Sequence, residues 1–217
     1  MWVFANMMNV AYVYRPTREG KFLHELLNNF DGVLVTDFYS AYDSLDCRQQ
    51  KCLVHLMWDI NGDLIKNPFD EDLKFVASGF GKLLRAIIHT VDRYGLKARF
   101  LRKHKKDVAK FYRNVQSREL VSDVAQHYLS RFLKHRQELF TFLDNDGVPW
   151  NNNNAEHAIK PFAKYRMMVK RSIEPKGLDA YLVLLSIYET CEYRGVSFLD
   201  FLLSRERDID RYCQSVL

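Results

Sequence analysis

A mixed α/β fold interrupted by a helical block is what this sequence predicts, on three observations. Residues 33–37 read VLVTD, a short apolar run that follows the Asp31-Gly32 turn and ends in an acid. Such a run reads as a strand buried on both faces of a parallel or mixed sheet. From about residue 61 to residue 146 the apolar side chains recur instead at steps of three and four, as in helices. Then Asn151, Asn152, Asn153 and Asn154 run into Ala155-Glu156. Asparagine is a strong helix N-cap, because its side-chain oxygen accepts a free N–H of the first turn.

The totals set outer bounds. At 217 residues and 47% hydrophobic composition, the chain can bury a sizeable core. The net charge of +5 is mild, so partners must be inferred from where basic residues cluster. Cys47, Cys52, Cys191 and Cys213 come with no secretory signal, which suggests reduced thiols in a cytoplasmic protein. No apolar run is long enough for a membrane span. Trp2 lies inside an apolar run beside Met1, so the chain is expected to begin inside a fold.

In order, residues 2–4 and 11–14 read as short strands around an asparagine-marked turn. Thr17 caps a helix to about residue 29, with Phe22, Leu23, Leu26 and Leu27 as its buried stripe. After the strand at 33–37, residues 51–56 (KCLVHL) read as another strand. Residues 70–93 form a helix bearing Leu73, Val76, Phe80, Leu84 and Ile87, weakened by Gly79 and Gly81. A further helix spans about 119–142. Residues 178–194 form an apolar helix stopped by Gly195, and Ser197 caps a last one. The whole reads as a helical block inserted between two parts of an α/β domain.

Chemistry concentrates at a few places. Asp37 stands at the carboxyl end of a strand, where α/β folds place ligands; it reads equally as a cap for a helix over 39–45. Glu156 falls in the first turn of the helix that the asparagines open, where the dipole favours a carboxylate. Beyond it come Lys160, Lys164, Arg166, Lys170, Arg171 and Lys176, opposed only by Glu174. A carboxylate followed by a basic ladder can hold a metal ion beside a phosphate backbone, or can simply be a well-capped surface helix. Residues 99–113 add Arg102, Lys103, Lys105 and Lys106 among aromatic residues, a second candidate nucleic-acid track or a solvated face. Cys47, Cys52 and His55 invite a zinc site. With no CxxC pair and no fourth ligand nearby, a buried thiol and a hydrogen-bonded histidine are the expectation.

The combination GVLVTDFYSAYDSL, then CLVH, a helical insertion, and VPWNNNNAEHAIKPFAKYRMMVKRS resembles the insertion sequence 66 family of bacterial transposases. The resemblance spans most of the chain. It implies a ribonuclease H-like mixed sheet with a DDE site, in which three carboxylates hold two divalent ions, Mg²⁺ or Mn²⁺, roughly 3.5–4 Å apart. Asp37 would be the second acid and Glu156 the third. Cys52 and His55 match the family's C-x-x-H pair, and Asn153 and Asn154 its paired asparagines, as auxiliary elements. Residues 1–60 and 148–217 would form the two parts of the ribonuclease H-like domain, with 61–147 as its helical insertion. Double-stranded DNA is the implied partner, at transposon ends and target, with a nucleoid-associated location. A homo-oligomer or association with a full-length transposase is also implied.

The family's first aspartate belongs to a strand before the one that Trp2 opens, and the earliest acid in this sequence is Glu19. Loss of that central strand would leave strand edges unpaired. The expectation is therefore a carboxy-terminal catalytic portion, nearly inactive alone. Its rivals are an inactive DNA-binding or oligomerisation module, and a nuclease that completes its site with Asp43 or Asp59.

Overall fold

Asn6 sets the first turn. Its Oδ1 accepts the N–H groups of Met8 (2.8 Å) and Asn9 (2.7 Å), and its own N–H donates to the Asn9 carbonyl (3.0 Å). An asparagine side chain that mimics a backbone turn lets the chain reverse, between β1 (Trp2–Ala5) and β2 (Val10–Val13). The computed structural model describes residues 1–17, 20–168 and 175–216. They fall into two compact units, one of Met1–Glu19 with Asn153–Leu217 and one of Gly20–Asn152.

In the first unit β1 and β2 pair antiparallel, with Val3 opposite Tyr12 and Ala5 opposite Val10. Residues directly opposite share a face. This one packs against Ala158 and Phe162 of α7 (Asn153–Met168) and Leu178, Leu182 and Leu185 of α8 (Pro175–Arg194). Helix α8 also closes the outer edge of β2. Thr190 Oγ1 accepts from Val10 N–H at 3.1 Å and donates to Val10 O at 3.2 Å, and Ser186 Oγ accepts from Tyr12 N–H at 3.0 Å. Those N–H groups point away from β1, so the outward edge of β1 belongs to Val3 and Ala5. Gly195, at φ 67°, ends α8. Ser197 Oγ then caps α9 (Phe198–Ser204) by accepting from Asp200 N–H, and Phe201 meets Tyr212 of α10 (Ile209–Val216).

The second unit holds α1 (Lys21–Leu26) and a parallel pair, β3 (Val33–Thr36) with β4 (Arg48–Lys51), in which Thr36 lies opposite Lys51. Five helices follow: α2 (Leu53–Lys66), α3 (Glu71–Tyr94), α4 (Ala98–Leu101), α5 (Lys105–Gln116) and α6 (Asp123–Lys134). Asp70 caps α3, its side chain accepting from Leu73 N–H at 2.8 Å. Phe80, Phe111 and Phe132 meet at the centre of the core, with Tyr112 donating to the Phe132 carbonyl at 3.0 Å. The fold is thus mixed α/β and mostly helical. Among the described residues its strands form two small sheets, each two-stranded.

Several expectations are corrected. Residues 51–56 are not a strand: β4 ends at Lys51 and α2 starts at Leu53, with Leu53, Leu56 and Ile60 buried at helical spacing. Six apolar-rich residues are too few for periodicity to separate the two states. The strand that does form there, RQQK, is polar. Gln49, Gln50 and Lys51 go under, while Arg48 stays exposed, because partners await them: buried Gln50 donates to the carbonyls of Lys51 (2.7 Å) and Leu139 (2.9 Å) and accepts from Phe142 N–H (3.0 Å). Strand β3 is not buried on both faces. Val33, Leu34 and Val35 are only half-buried, since its sheet has two strands.

The helix expected over 17–29 is the shorter α1, which buries Leu23 while Leu26 is 51% exposed; its expected start borders residues 18–19, outside the described ones. The helix over 119–142 breaks at His135, whose carbonyl takes the N–H groups of Glu138 and Leu139 (3.0 Å each). The break lets Glu138 O accept from Lys51 N–H at 2.9 Å and Thr141 Oγ1 donate to Gln49 O at 2.6 Å, which closes the outer edge of β4.

Candidate functional site

Asp37 follows β3 directly, at the carboxyl end of the parallel pair. Thr36 O accepts from Cys52 N–H at 2.7 Å, one residue beyond the Thr36–Lys51 pairing, so the strand end of Asp37 and the start of α2 are held together. Cys52 is fully buried, and His55 lies in the first turn of α2 with its ring edge-on to Trp58 at 5.6 Å. The structure therefore brings the Asp37 segment and the C-x-x-H pair to one end of one sheet. It does so by continuing the ladder into a helix and not into another strand.

The carboxylate of Asp37 is half engaged. Oδ1 accepts from Tyr39 N–H at 2.9 Å, while Oδ2 has no hydrogen-bond partner among the described residues. The capping role foreseen for this acid is not realised: no helix forms over 39–45, and the short 3-10 turn Ser40–Tyr42 has Tyr39 at its N-cap and no side-chain cap. The Asp37–Tyr39 bond is an Asx turn ahead of it. Tyr39 and Tyr42 meet edge to face at 6.0 Å. Burial raises the Tyr42 hydroxyl to about 12, helped by the negative charge of Asp37.

The two other acids considered are each ion-paired. Asp43 binds Lys51 Nζ (3.1 Å) and Lys134 Nζ (2.9 Å), and Asp59 binds Arg131 (2.6 Å). Both oxygens of Asp43 are engaged, whereas Asp59 keeps Oδ1 without a hydrogen-bond partner among the described residues, as Asp37 does at Oδ2. No group of three or more His, Cys, Asp or Glu able to hold a metal occurs among the described residues. That covers Cys47, Cys52 and His55.

Glu156 lies in the first turn of α7, in the other unit, and is partly buried. The asparagines before it act differently from one another. The helix begins at Asn153, but buried Asn152 Oδ1 has no hydrogen-bond partner among the described residues, so it caps nothing. Asn154 is a cross-tie: its Nδ2 donates to Asn6 O at 2.8 Å, and its Oδ1 accepts from Tyr193 OH at 2.8 Å. Tyr12 OH donates to the Ala158 carbonyl one turn on. The start of α7 is thus fixed to the β1–β2 hairpin and to α8 within one unit.

Lys160 and Lys164 are exposed and one turn apart, on one face of α7 with His157. Arg166 is exposed but turned about 120° from Lys160, since each residue advances the helix by about 100°. Lys170 and Arg171 lie outside the described residues, as does the side chain of Lys176. On the helical unit, Arg102 and Lys105 share Asp144 as a partner, at 3.4 and 2.8 Å. Lys103 and Lys106 are exposed without an ion pair among the described residues, and Lys106, Lys110 and Arg113 continue one face of α5.

Against known protein families, the profile described as Transposase IS66 family matches residues 1–180. The chain belongs to that family. Nothing among curated proteins or solved structures matches it. Membership in the IS66 transposases makes this a transposase-derived protein, with DNA as the implied partner and divalent metals as the cofactors its family uses. No helix among the described residues is long and apolar enough to cross a membrane. What sequence reasoning missed is the Lys51–Asp43–Lys134 cluster beside the Asp37 turn. A lysine inside an otherwise apolar KCLVHL stretch was the available signal, since a buried lysine requires an acid.

Proposed function

We propose that this chain is the carboxy-terminal catalytic portion of an IS66 transposase, with Asp37 and Glu156 as the second and third acids of a DDE site on a ribonuclease H-like domain. The observation that carries the proposal is the position of Asp37 at the carboxyl end of β3, with one carboxylate oxygen open, in a chain matched by the family over residues 1–180. The two-stranded sheets support it too. In each, one edge is closed by side chains or loop backbone, at β2 by Thr190 and Ser186 and at β4 by Glu138 and Thr141. The opposite edge of each sheet, at β1 in the one unit or at β3 in the other, is where an additional strand could add.

Asp37 suits a hard divalent ion, since an ionised carboxylate with a free oxygen is the donor such ions prefer. When bound, Mg²⁺ or Mn²⁺ would activate water or a 3′-hydroxyl and stabilise the leaving oxygen. The chain's own residues would do the rest. Tyr39 N–H would hold Asp37 in orientation, Asn154 would fix the helix that carries Glu156, and Lys160 and Lys164 would bind DNA phosphates, with Arg166, Lys170 and Arg171 extending the basic surface. In this reading residues 61–147 are the helical insertion between the acids. Two of three acids do not make a two-metal site, so this chain alone is expected to cleave DNA negligibly.

The test joins the chain to a family segment that supplies the first acid-bearing strand, and follows nicking of supercoiled plasmid in Mn²⁺. Cleavage that Asp37→Asn and Glu156→Gln each abolish supports the proposal. Cleavage that survives either substitution overturns it, as does Mn²⁺-dependent cleavage by the chain alone. A second reading, an inactive DNA-binding module, is favoured by the Lys106–Lys110–Arg113 face of α5, which is independent of both acids. It predicts DNA retention that Asp37→Asn leaves unchanged and no cleavage even after the strand is supplied.

A further inference from the structure

Lys51 is the wholly enclosed lysine among the described residues, with 0% of its surface exposed. An ammonium removed from water needs an acidic partner, and Asp43, itself partly exposed, provides it from the far end of the Asp37 loop. Lys51 Nζ donates to Asp43 Oδ1 at 3.1 Å, while Lys134 of α6, 64% exposed, donates to Oδ2 at 2.9 Å. Burial opposes the Asp43 charge, but the hydrogen bonds from Lys134 and Lys51 outweigh it and hold the carboxyl below the usual range.

The connectivity gives this clamp its meaning. Lys51 is the strand partner of Thr36, the residue before Asp37. The chain leaves β3 at Thr36, passes Asp37, turns through Ser40–Tyr42 and reaches Asp43, where it is tied back to Lys51. Between those ends Gln49 Nε2 donates to Tyr42 O at 2.6 Å, and Lys51 Nζ lies 5.8 Å from the Tyr42 ring centre. The loop that carries the acid is therefore tied back to β4 through Gln49 and Lys51, and Asp43 ties it to α6 as well.

We propose that Asp43 is the positioning residue of the Asp37 loop: gripped by Lys51 and Lys134, it sets the direction in which the Asp37 carboxylate leaves β3 and couples that direction to helix α6. The inference rests on Asp37 being a metal ligand, and its test separates the two ideas. Groups that orient a ligand are worth about 10–100-fold in metal affinity when removed.

The experiment is an amide NMR titration of the full chain with MnCl₂, for wild type, Asp37→Asn, Asp43→Asn and Asp43→Glu. The Tyr39 amide is the reporter, because it donates to Asp37 Oδ1. Before metal is added, Asp43→Asn should speed hydrogen exchange at Tyr39 about tenfold or more, with the α3 cap amide of Leu73 unchanged as the control. On titration, Mn²⁺ should broaden Tyr39 in wild type and not in Asp37→Asn. Asp43→Asn should raise the midpoint about 10–100-fold, and Asp43→Glu, which keeps the charge, should recover most of it.

Broadening that persists in Asp37→Asn sinks the metal-ligand reading of Asp37, whatever Asp43 does. If Asp37→Asn removes it while Asp43→Asn changes neither exchange nor midpoint, the positioning role is overturned and the ligand reading stands. Should Asp43→Asn not fold, Lys134→Gln takes its place at the exposed end of the clamp. A midpoint raised severalfold supports the coupling to α6, and an unchanged one overturns it.

Discussion

Replacing Thr190 with valine tests how the β1–β2 hairpin is held, and through it the seat of α7. The substitution keeps the shape and removes only the hydroxyl. Thr190 and Val10 are both buried, and the hydroxyl serves Val10 twice, accepting from its N–H at 3.1 Å and donating to its carbonyl at 3.2 Å. Both backbone groups lie on the β2 edge away from β1, so no strand replaces the lost partner. A buried polar group left unpaired costs about 1–3 kcal/mol. Two such groups give about 2 kcal/mol at the low end of that range. Exchange at the Val10 amide should accelerate by about thirtyfold or more, since each 1.4 kcal/mol is about a factor of ten.

Because the chain has two compact units, a single melting temperature mixes their transitions. Amide exchange resolved at Val10 and Tyr12 is the cleaner assay. Ser186→Ala is the internal comparison. It removes one acceptor from Tyr12 N–H, and its hydroxyl is already shared with the Leu182 carbonyl at 2.7 Å, so its effect should be smaller. Val10 exchange in Thr190→Val within threefold of wild type would refute the reasoning and mean that the edge of β2 needs no closure by α8.

Three further outcomes follow from the same structure. Phe132→Ala removes the ring that contacts Phe80, Phe111 and Tyr112, and should cost about 3–5 kcal/mol, read from urea unfolding of the helical unit. Lys106→Glu with Lys110→Glu should weaken retention of duplex DNA and flatten its salt dependence. Lys105→Glu should do less, because Lys105 is already paired with Asp144. Acid should destabilise the helical unit through Asp63, whose carboxyl is lowered by hydrogen bonds from Tyr128 and Lys66. A depressed carboxyl contributes stability that is fully present above its unfolded value, about 3.9, and is lost as pH falls through the lower folded one. Asp63→Asn should therefore flatten the pH dependence of unfolding below about pH 4, and an unchanged slope would count against that link.

The sequence by itself determined those elements whose signals are local. Asn6 and Asn9 marked the hairpin turn, Ser197 a cap, Gly195 the helix stop, and the spacing from Leu73 to Ile87 the long helix α3. Gly79 and Gly81 did not break α3, because its packed face outweighs their intrinsic cost. Motif chemistry made the family legible, since a strand-end acid and an asparagine–glutamate helix start are written in adjacent residues. Only the tertiary structure decided the rest. A polar strand, RQQK, forms because Glu138, Leu139, Thr141 and Phe142 return from a distant helix break to satisfy it. Asp43 proves to be the partner of a buried lysine, because β4 and α6 converge on it. Asn154 is a cross-tie and not a cap, because Asn6 and Tyr193 reach it from distant parts of the chain. In each case the deciding partner is many residues away. No local pattern encodes a hydrogen bond whose other half arrives only when the chain has folded.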